Sequence, residues 1–362
     1  MICIGFSYYN KPDFHSIVNI MGTIRFLLAF SVLFAHINLD SEFFNNGADA
    51  VQLFFIVSGF YMFMVLKEKY LKLNKPYWYF ISNRFLRLYP IYFLMLIMTI
   101  FYAFYSSKYS PHLPNDLAAY IAFWDQLDFK YIFILGISNI SIIGQEILVF
   151  FNYGVGQEIN SIIFRPEAKN ILTQFLLVPQ AWSLGMELWF YLLAPLLLKI
   201  RTRSLIIVTT IIIISKMLFL IYYSDFYNFK YHILFFELSL FLLGGVSYKI
   251  KLEVNSVLIK KVIFITSILL IINLNYFVHF LALKWIIYIL FSLSIPIIFT
   301  LTKYNTFDKL LGDLSYPVYI SHILVIAVLR EFETTTISYV IYLIVITIVT
   351  SAILNYITLP MK

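Results

Sequence analysis

"KEKYLKLNKPYWYFISNRFLR", residues 67–87, separates two apolar runs and carries six basic residues against one acid, Glu68. A short connection so rich in Lys and Arg belongs on the cytoplasmic face of a bilayer. The preceding connection, 40–49, holds Asp40, Glu42 and Asp49 and no base, so it is expected outside. The run between them then crosses from outside to inside, which puts the N-terminus inside. Within 67–87, Arg84 and Arg87 stand three residues apart, on one side of a helix. They serve as ordinary orientation anchors or as a shelf for a phosphate, and Pro90 is expected to disturb the helix just beyond them.

Composition supports this reading. Of 362 residues, 61% are hydrophobic and only 12% charged, with mean hydropathy +0.86. A soluble domain is nearer a quarter charged. A net charge of +7 would suggest nucleic acid as a partner for a soluble chain, but here the bases fall in clusters between apolar runs and set orientation. The lone cysteine, Cys3, excludes an internal disulfide and a cysteine-rich metal site. The first apolar run begins near Ile20 with neither a short basic region before it nor a cleavage pattern after it, so it reads as a retained span.

Crossing about 30 Å of hydrocarbon takes roughly 20 helical residues. Ten runs qualify, at about 20–39, 50–67, 86–106, 182–200, 205–223, 231–249, 260–279, 283–302, 311–330 and 337–359. An eleventh, 130–150, carries Asn139, Gln145 and Glu146. If it crossed, Lys199, Arg201 and Arg203 would fall outside. If it does not, they lie inside with Lys249, Lys251, Lys260, Lys261, Lys303 and Lys309, while Glu331 and Glu333 lie outside. The expected fold is therefore an all-α polytopic integral membrane protein, one domain over 1–362 with about ten transmembrane helices and both termini cytoplasmic. Residues 107–181 form an outward-facing segment in which 130–150 is re-entrant, interfacial or packed into the bundle.

Polar residues inside the runs are the candidates for chemistry, because an ionised side chain facing lipid costs several kcal/mol. Arg25 and His36 are eleven residues apart, close to three turns, so they share a face about 16 Å apart. Either can be an interfacial residue, Arg25 by snorkelling. In an enclosed cavity a neutral His36 imidazole is a competent base for a hydroxyl. Ser183 and Glu187 share a helix face, with Trp182, Trp189 and Tyr191 beside them as sugar-stacking or interfacial aromatics. Ser315, Tyr319 and His322 form a polar stripe behind Gly312 and Pro317, which suggest a bent start to their helix. Glu237 and Asn273 have weaker claims. His112 and His232 are isolated, Asp40, Asp49, Glu146 and Glu158 make no metal pattern, and no metal site is expected. Neither a glycine-rich nucleotide loop nor a serine-hydrolase GxSxG occurs.

These pieces together resemble the membrane-bound acyltransferase family 3, of the polysaccharide O-acyltransferase type. The resemblance spans nearly the whole chain: Arg25 and His36; "LFFIVSGF" at 53–60; Arg84, Arg87 and Pro90; Ser183, Glu187 and Tyr191 in "WSLGMELWFY"; and "LGDLSYPVYISH" at 311–322. Two departures stand out. Gln52 precedes "LFF" where relatives often have Asp, and no soluble esterase-like domain is expected in this chain.

The resemblance implies an enzyme that takes an acyl group, acetyl by default, from cytoplasmic acetyl-CoA. The acceptor would be a sugar hydroxyl on a cell-surface polysaccharide or a lipid-linked precursor, outside a bacterial inner membrane. Arg84 and Arg87, assisted by Arg25, would hold the donor's phosphates. His36 would take the acceptor's proton or receive the acyl group. Glu187 would raise the basicity of His36 or grip the sugar. Trp182, Ser183, Ser315, Tyr319 and His322 would line the substrate cavity, with the last three donating to developing oxyanion charge. No tightly bound cofactor is needed, since a thioester is already activated. A transporter or flippase for a carbohydrate precursor, or a non-catalytic binding protein, would share the helices and polar cavity but form no CoA-dependent product.

Overall fold

A computed structural model describes residues 21–37, 47–109, 118–123, 127–151, 172–223, 231–277, 281–330 and 336–361. Asp40, Glu42, His112, Glu158, Glu331 and Glu333, both chain ends, and the parts of 107–181 at 110–117, 124–126 and 152–171 lie outside the described residues. The helices are α1 (Gly22–Ala35), α2 (Gly47–Glu68), α3 (Pro76–Tyr109), α4 (Ala118–Phe123), α5 (Phe129–Ser141), α6 (Trp182–Lys199) and α7 (Thr202–Tyr222). They continue with α8 (Leu234–Ile250), α9 (Val257–Ile272), α10 (Leu274–Phe277), α11 (Leu281–Thr302), α12 (Thr306–Leu329) and α13 (Thr336–Thr358). Short 3₁₀ turns join some of them, and no strand element occurs among the described residues.

Every one of the ten apolar runs carries a helix. Seven of these, α2, α3, α6, α7, α11, α12 and α13, are long and apolar enough to cross a membrane. The other three, α1, α8 and α9, have 14, 17 and 16 residues. At 1.5 Å per residue those cover only about 21 to 26 Å.

Two starts differ from the sequence expectation. Helix α3 begins at Pro76 and runs 34 residues straight through Pro90, about 51 Å in length. Neighbouring tyrosines dock it: the Tyr89 and Tyr92 hydroxyls donate to the carbonyls of Ser141 and Asn139. Helix α12 begins at Thr306 and passes through Pro317, because Asn305 supplies an N-cap, its side chain accepting from the Phe307 and Asp308 amides at 2.9 and 3.1 Å.

The 130–150 run is not one helix. Helix α5 has 13 residues, about 20 Å, and ends at Ile142, whose φ of 67° breaks the helical path. In the turn that follows, Gln145 and Glu146 are fully enclosed. Gln145 donates to the Tyr92 hydroxyl at 3.2 Å on α3, and Trp189 on α6 donates to Glu146 at 2.9 Å. A Cβ at Gly185 would come within 2.4 Å of the Glu146 carboxylate, so this glycine is what lets the segment press against α6.

Helix α2 is buried along most of its length, whereas α7 and α13 present Ile and Val outward. It crosses α8 at mutual glycines. A Cβ on Gly59 would sit 1.9 Å from the Phe241 carbonyl oxygen, and one on Gly244 would sit 1.9 Å from that of Ile56. The glycine of "LFFIVSGF" thus brings two backbones into contact. At the other side, Asp308 of α12 caps α1: its carboxylate accepts from the Gly22 and Thr23 amides at 2.7 and 2.9 Å and from the Thr23 hydroxyl at 2.8 Å. An anion at a helix N-terminus satisfies orphan amides and complements the helix dipole.

Candidate active site

Helices α1, α2, α3, α6 and α12 line a partly open cavity of about 80 Å³. Its lining includes Arg25, Arg84, Arg87, Tyr61, Glu187 and Tyr191, whose charges lie within reach of one another, together with Ser183, Ser315, Tyr316 and Tyr319. Its lining therefore holds three guanidinium groups and one carboxylate, a formal excess of two positive charges. The i,i+3 spacing of Arg84 and Arg87 does put both on the cavity wall, and Arg25, in the first turn of α1, joins them from across the bundle.

Arg84 is only 4% exposed. It lies over the rings of Tyr61 and Phe80 at 5.6 and 5.9 Å and donates to the Asn83 side chain at 3.0 Å. Its Nε is buried with no partner among the described residues. A guanidinium held this way offers unused donors to an incoming anion.

Glu187 accepts from the Ser58 hydroxyl at 2.5 Å, and its charge lies within reach of Arg25 and Tyr191. The structure places it with the arginines, and no hydrogen bond joins it to His36. Ser183 and Tyr319 share a hydrogen bond of 2.6 Å between α6 and α12, and the Tyr319 hydroxyl also reaches the Gln180 carbonyl at 2.9 Å. Ser315 donates to the Gly312 carbonyl at 2.8 Å within its own helix.

His36 and His322 do not line this cavity. His322 is wholly buried, its ring 5.9 Å from that of Tyr319 and 5.1 Å from that of His36 between centroids. His36 itself caps the C-terminal end of α1 and is exposed. The line from cavity to His36 therefore runs through Tyr319 and His322. Trp182 likewise stands off the cavity, its ring 4.2 Å from that of His232. Asn273, at the end of α9, donates to the Leu269 carbonyl in an exposed position and belongs to no site.

Sequence reasoning missed Tyr61 and Tyr316 on the cavity wall and the part Ser58 plays. It also missed a second polar cluster. Gln52 donates to both Glu237 oxygens at 3.0 and 2.9 Å, Lys216 bonds Glu237 at 2.5 Å, and the Tyr288 hydroxyl lies 2.5 Å from Asp49 and 2.8 Å from Gln52. Lys284 pairs with Asp49. Asp49, read as part of an outward connection, is instead 2% exposed in the first turn of α2. Gln52, just before "LFF", thus binds a carboxylate from α8.

Outside the helices, burial raises the Glu146 carboxyl above its ordinary value of 4.5, opposed by hydrogen bonds from Trp189 and the Gly144 amide. On the basic side, Lys67, Lys199, Lys249 and Lys251 surround a separate concavity, where Lys249 bonds the Leu198 carbonyl at 2.8 Å and that of Ile200, closing the C-terminal end of α6. No group of three or more metal-ligating side chains occurs among the described residues.

A multi-pass helical membrane protein with a basic internal cavity is the class these features define. The acyltransferase domain family, acyltransferase family 3, matches residues 18–356, and the chain belongs to that family. Acyl transfer is accordingly its class of activity. An uncharacterized protein of Aquifex aeolicus (strain VF5) is 30% identical over 201 residues, covering 51% of this chain and 85% of that protein. No solved structure matches the chain.

Proposed function

We propose that the protein transfers acetyl from acetyl-CoA to a sugar hydroxyl of a cell-surface polysaccharide or its lipid-linked precursor, in a bacterial cytoplasmic (inner) membrane. In this reading α1, α8 and α9 also cross, giving ten crossings with both termini inside, and 130–150 remains on the outward side as a packed or re-entrant segment. The observation that carries the reading is the cavity, whose wall holds three guanidinium groups and also Tyr319, the ring next to His322 and through it to His36.

Arg25, Arg84 and Arg87 bind the donor's phosphates through charge-assisted hydrogen bonds. Glu187, fixed by Ser58, keeps the three cations from repelling one another apart and limits the net charge of the empty cavity. Ser183, Ser315 and Tyr319 orient the thioester arm in the cavity. His36, at the exposed end of α1, meets an acceptor hydroxyl arriving from the outside and takes its proton as the hydroxyl oxygen attacks the acyl carbon. No cofactor beyond the donor is required.

The test is mass analysis of surface glycans from cells with the protein, without it, and with His36→Ala. We expect an acyl mass increment on one sugar that is absent in the last two, with the variant inserted in the membrane at normal levels. A normally expressed His36→Ala protein that still gives the full increment would remove His36 from the chemistry. The same glycan masses with and without the protein would remove acyl transfer to glycans altogether.

A further inference from the structure

The basic end of the bundle holds a second concavity, of about 330 Å³, with no part in the proposed chemistry. Its wall carries Lys67 from the end of α2, Lys199 from the end of α6, and Lys249 and Lys251 from the end of α8. Leu71, Pro195 and Leu198 give it apolar surface, and Thr202, the first residue of α7, borders it. The arginine cavity draws on α1, α3 and α12, whereas this one draws on α7 and α8, so they share only α2 and α6. On α2, Lys67 comes about two and a half turns after Ser58 and so faces the opposite side.

Four ammonium groups around one small volume repel one another, and no carboxylate answers them. Among the described residues none of the four forms an ion pair, and the neighbouring acid, Glu68, instead accepts from the Tyr248 hydroxyl at 3.1 Å. Lys249 donates to the Leu198 and Ile200 carbonyls, so the partial negative charge at the end of α6 is already met. Lys67, Lys199 and Lys251 are exposed. Lys251 closes α8 with a left-handed φ of 52°, a place that favours glycine, and its ammonium lies over the Tyr248 ring at 5.6 Å. The arrangement is charged for an anion.

Position decides which anion. Helices α2, α6 and α7 are each long and apolar enough to cross a membrane. The concavity lies where α2 and α6 end and α7 begins, hence at a membrane–water boundary. Beside it Leu196 is 62% exposed, and Ile206 and Ile207 of α7 also face outward. An acyl chain can follow that apolar surface away from the lysines, an advantage that a free phosphate lacks. Lysine is a compact point charge and binds phosphate without the fixed geometry of a guanidinium. We propose that this concavity binds the phosphate headgroup of an anionic phospholipid, its charge held by the four lysines and its first methylenes resting on Leu71, Pro195 and Leu198. The site stands independently of the acyl-transfer reading.

The test is native mass spectrometry of the full-length protein in neutral detergent, titrated with phosphatidylglycerol or with phosphatidylcholine of the same chains. Phosphatidylglycerol should bind more tightly. Each lysine contributes about fivefold, so Lys67→Gln alone should weaken it by that factor and K67Q/K199Q/K251Q by about tenfold or more. Lys249, which closes α6, is left in place. K260Q/K261Q removes two charges elsewhere on the basic face and should bind as the native protein does. In nanodiscs, replacing phosphatidylcholine by phosphatidylglycerol should raise the unfolding temperature of the native protein but not of the triple variant. Equal losses in the triple variant and in K260Q/K261Q would show diffuse surface charge and overturn the site. No preference for phosphatidylglycerol would do the same. Displacement of the lipid by inorganic phosphate, beyond that by chloride at equal ionic strength, would assign the concavity to a soluble phosphate and overturn the lipid.

Discussion

Two groups of buried charge lie along α2, and they are built on opposite plans. Near its start, Asp49 and Glu237 meet Lys284 and Lys216, two anions for two cations, each cation in bond contact with a carboxylate. Further along, three arginines share a cavity with Glu187 alone. The first cluster is complete in itself and ties α2, α7, α8 and α11 together through Gln52 and Tyr288. The second carries surplus charge and surrounds empty space. Buried charge that balances holds helices in place, and buried charge that does not balance is arranged for a ligand.

The sharpest way to break this contrast is to unbalance the first cluster. Lys216→Ala leaves Glu237 with Gln52 but no cation in bond contact, and removing one partner of a buried pair costs about 3–5 kcal/mol. Thermal unfolding in detergent should fall steeply, and K216M/E237L should recover most of the loss. If the single and double variants unfold alike, the pair is not what holds α7 to α8. The same operation on the second cluster should act on binding. Arg84→Ala with Arg87→Ala removes two charged donors worth about 1.5 kcal/mol or more each, so the Kd for CoA should rise about 10²-fold. Unfolding temperature should hold or rise, and calorimetric titration with unchanged Kd would leave these arginines as orientation anchors.

A smaller effect is expected at Asp308, a carboxylate balanced by helix amides in place of a cation. Asp308→Ala should cost about 1 kcal/mol, read as a modest fall in unfolding temperature, while Asp308→Asn should keep most of the cap. The smallest effect concerns Glu146, which among the described residues is met by N–H groups and no cation. Its folded-state value is raised, so the fold favours the protonated acid. Its contribution is present below 4.5 and lost as pH rises through the raised value. The unfolding temperature of the native protein should therefore drop relative to Glu146→Gln with rising pH, and a constant gap would place the carboxyl in a more polar setting than its burial indicates.

Much of the architecture was legible because membrane spans are written locally, as runs of apolar residues bounded by charge. The arginine pair was legible for the same reason, since a three-residue spacing on a helix fixes its face. What escaped reading is non-local. Gln52 and Glu237 are 185 positions apart, and nothing in either neighbourhood announces the other. Asp49 looked like a solvated loop acid because its partner, Lys284, sits on α11. The start of α12 was misplaced because apolarity marks where a helix enters lipid, whereas Asn305 marks where it begins. His36 and His322 could each be named from their surroundings, but their contact requires knowing that α1 and α12 lie side by side.

The glycine crossing of α2 and α8 also limits how the enzyme can breathe. With two backbones touching at Gly59 and Gly244, neither helix can tilt toward the other, and the cavity keeps one rigid wall. The far side is built differently: α3, α6 and α12 meet that post through side chains, Arg84 over Tyr61, Glu187 on Ser58 and Tyr319 against Phe54, contacts that give way more easily than touching backbones.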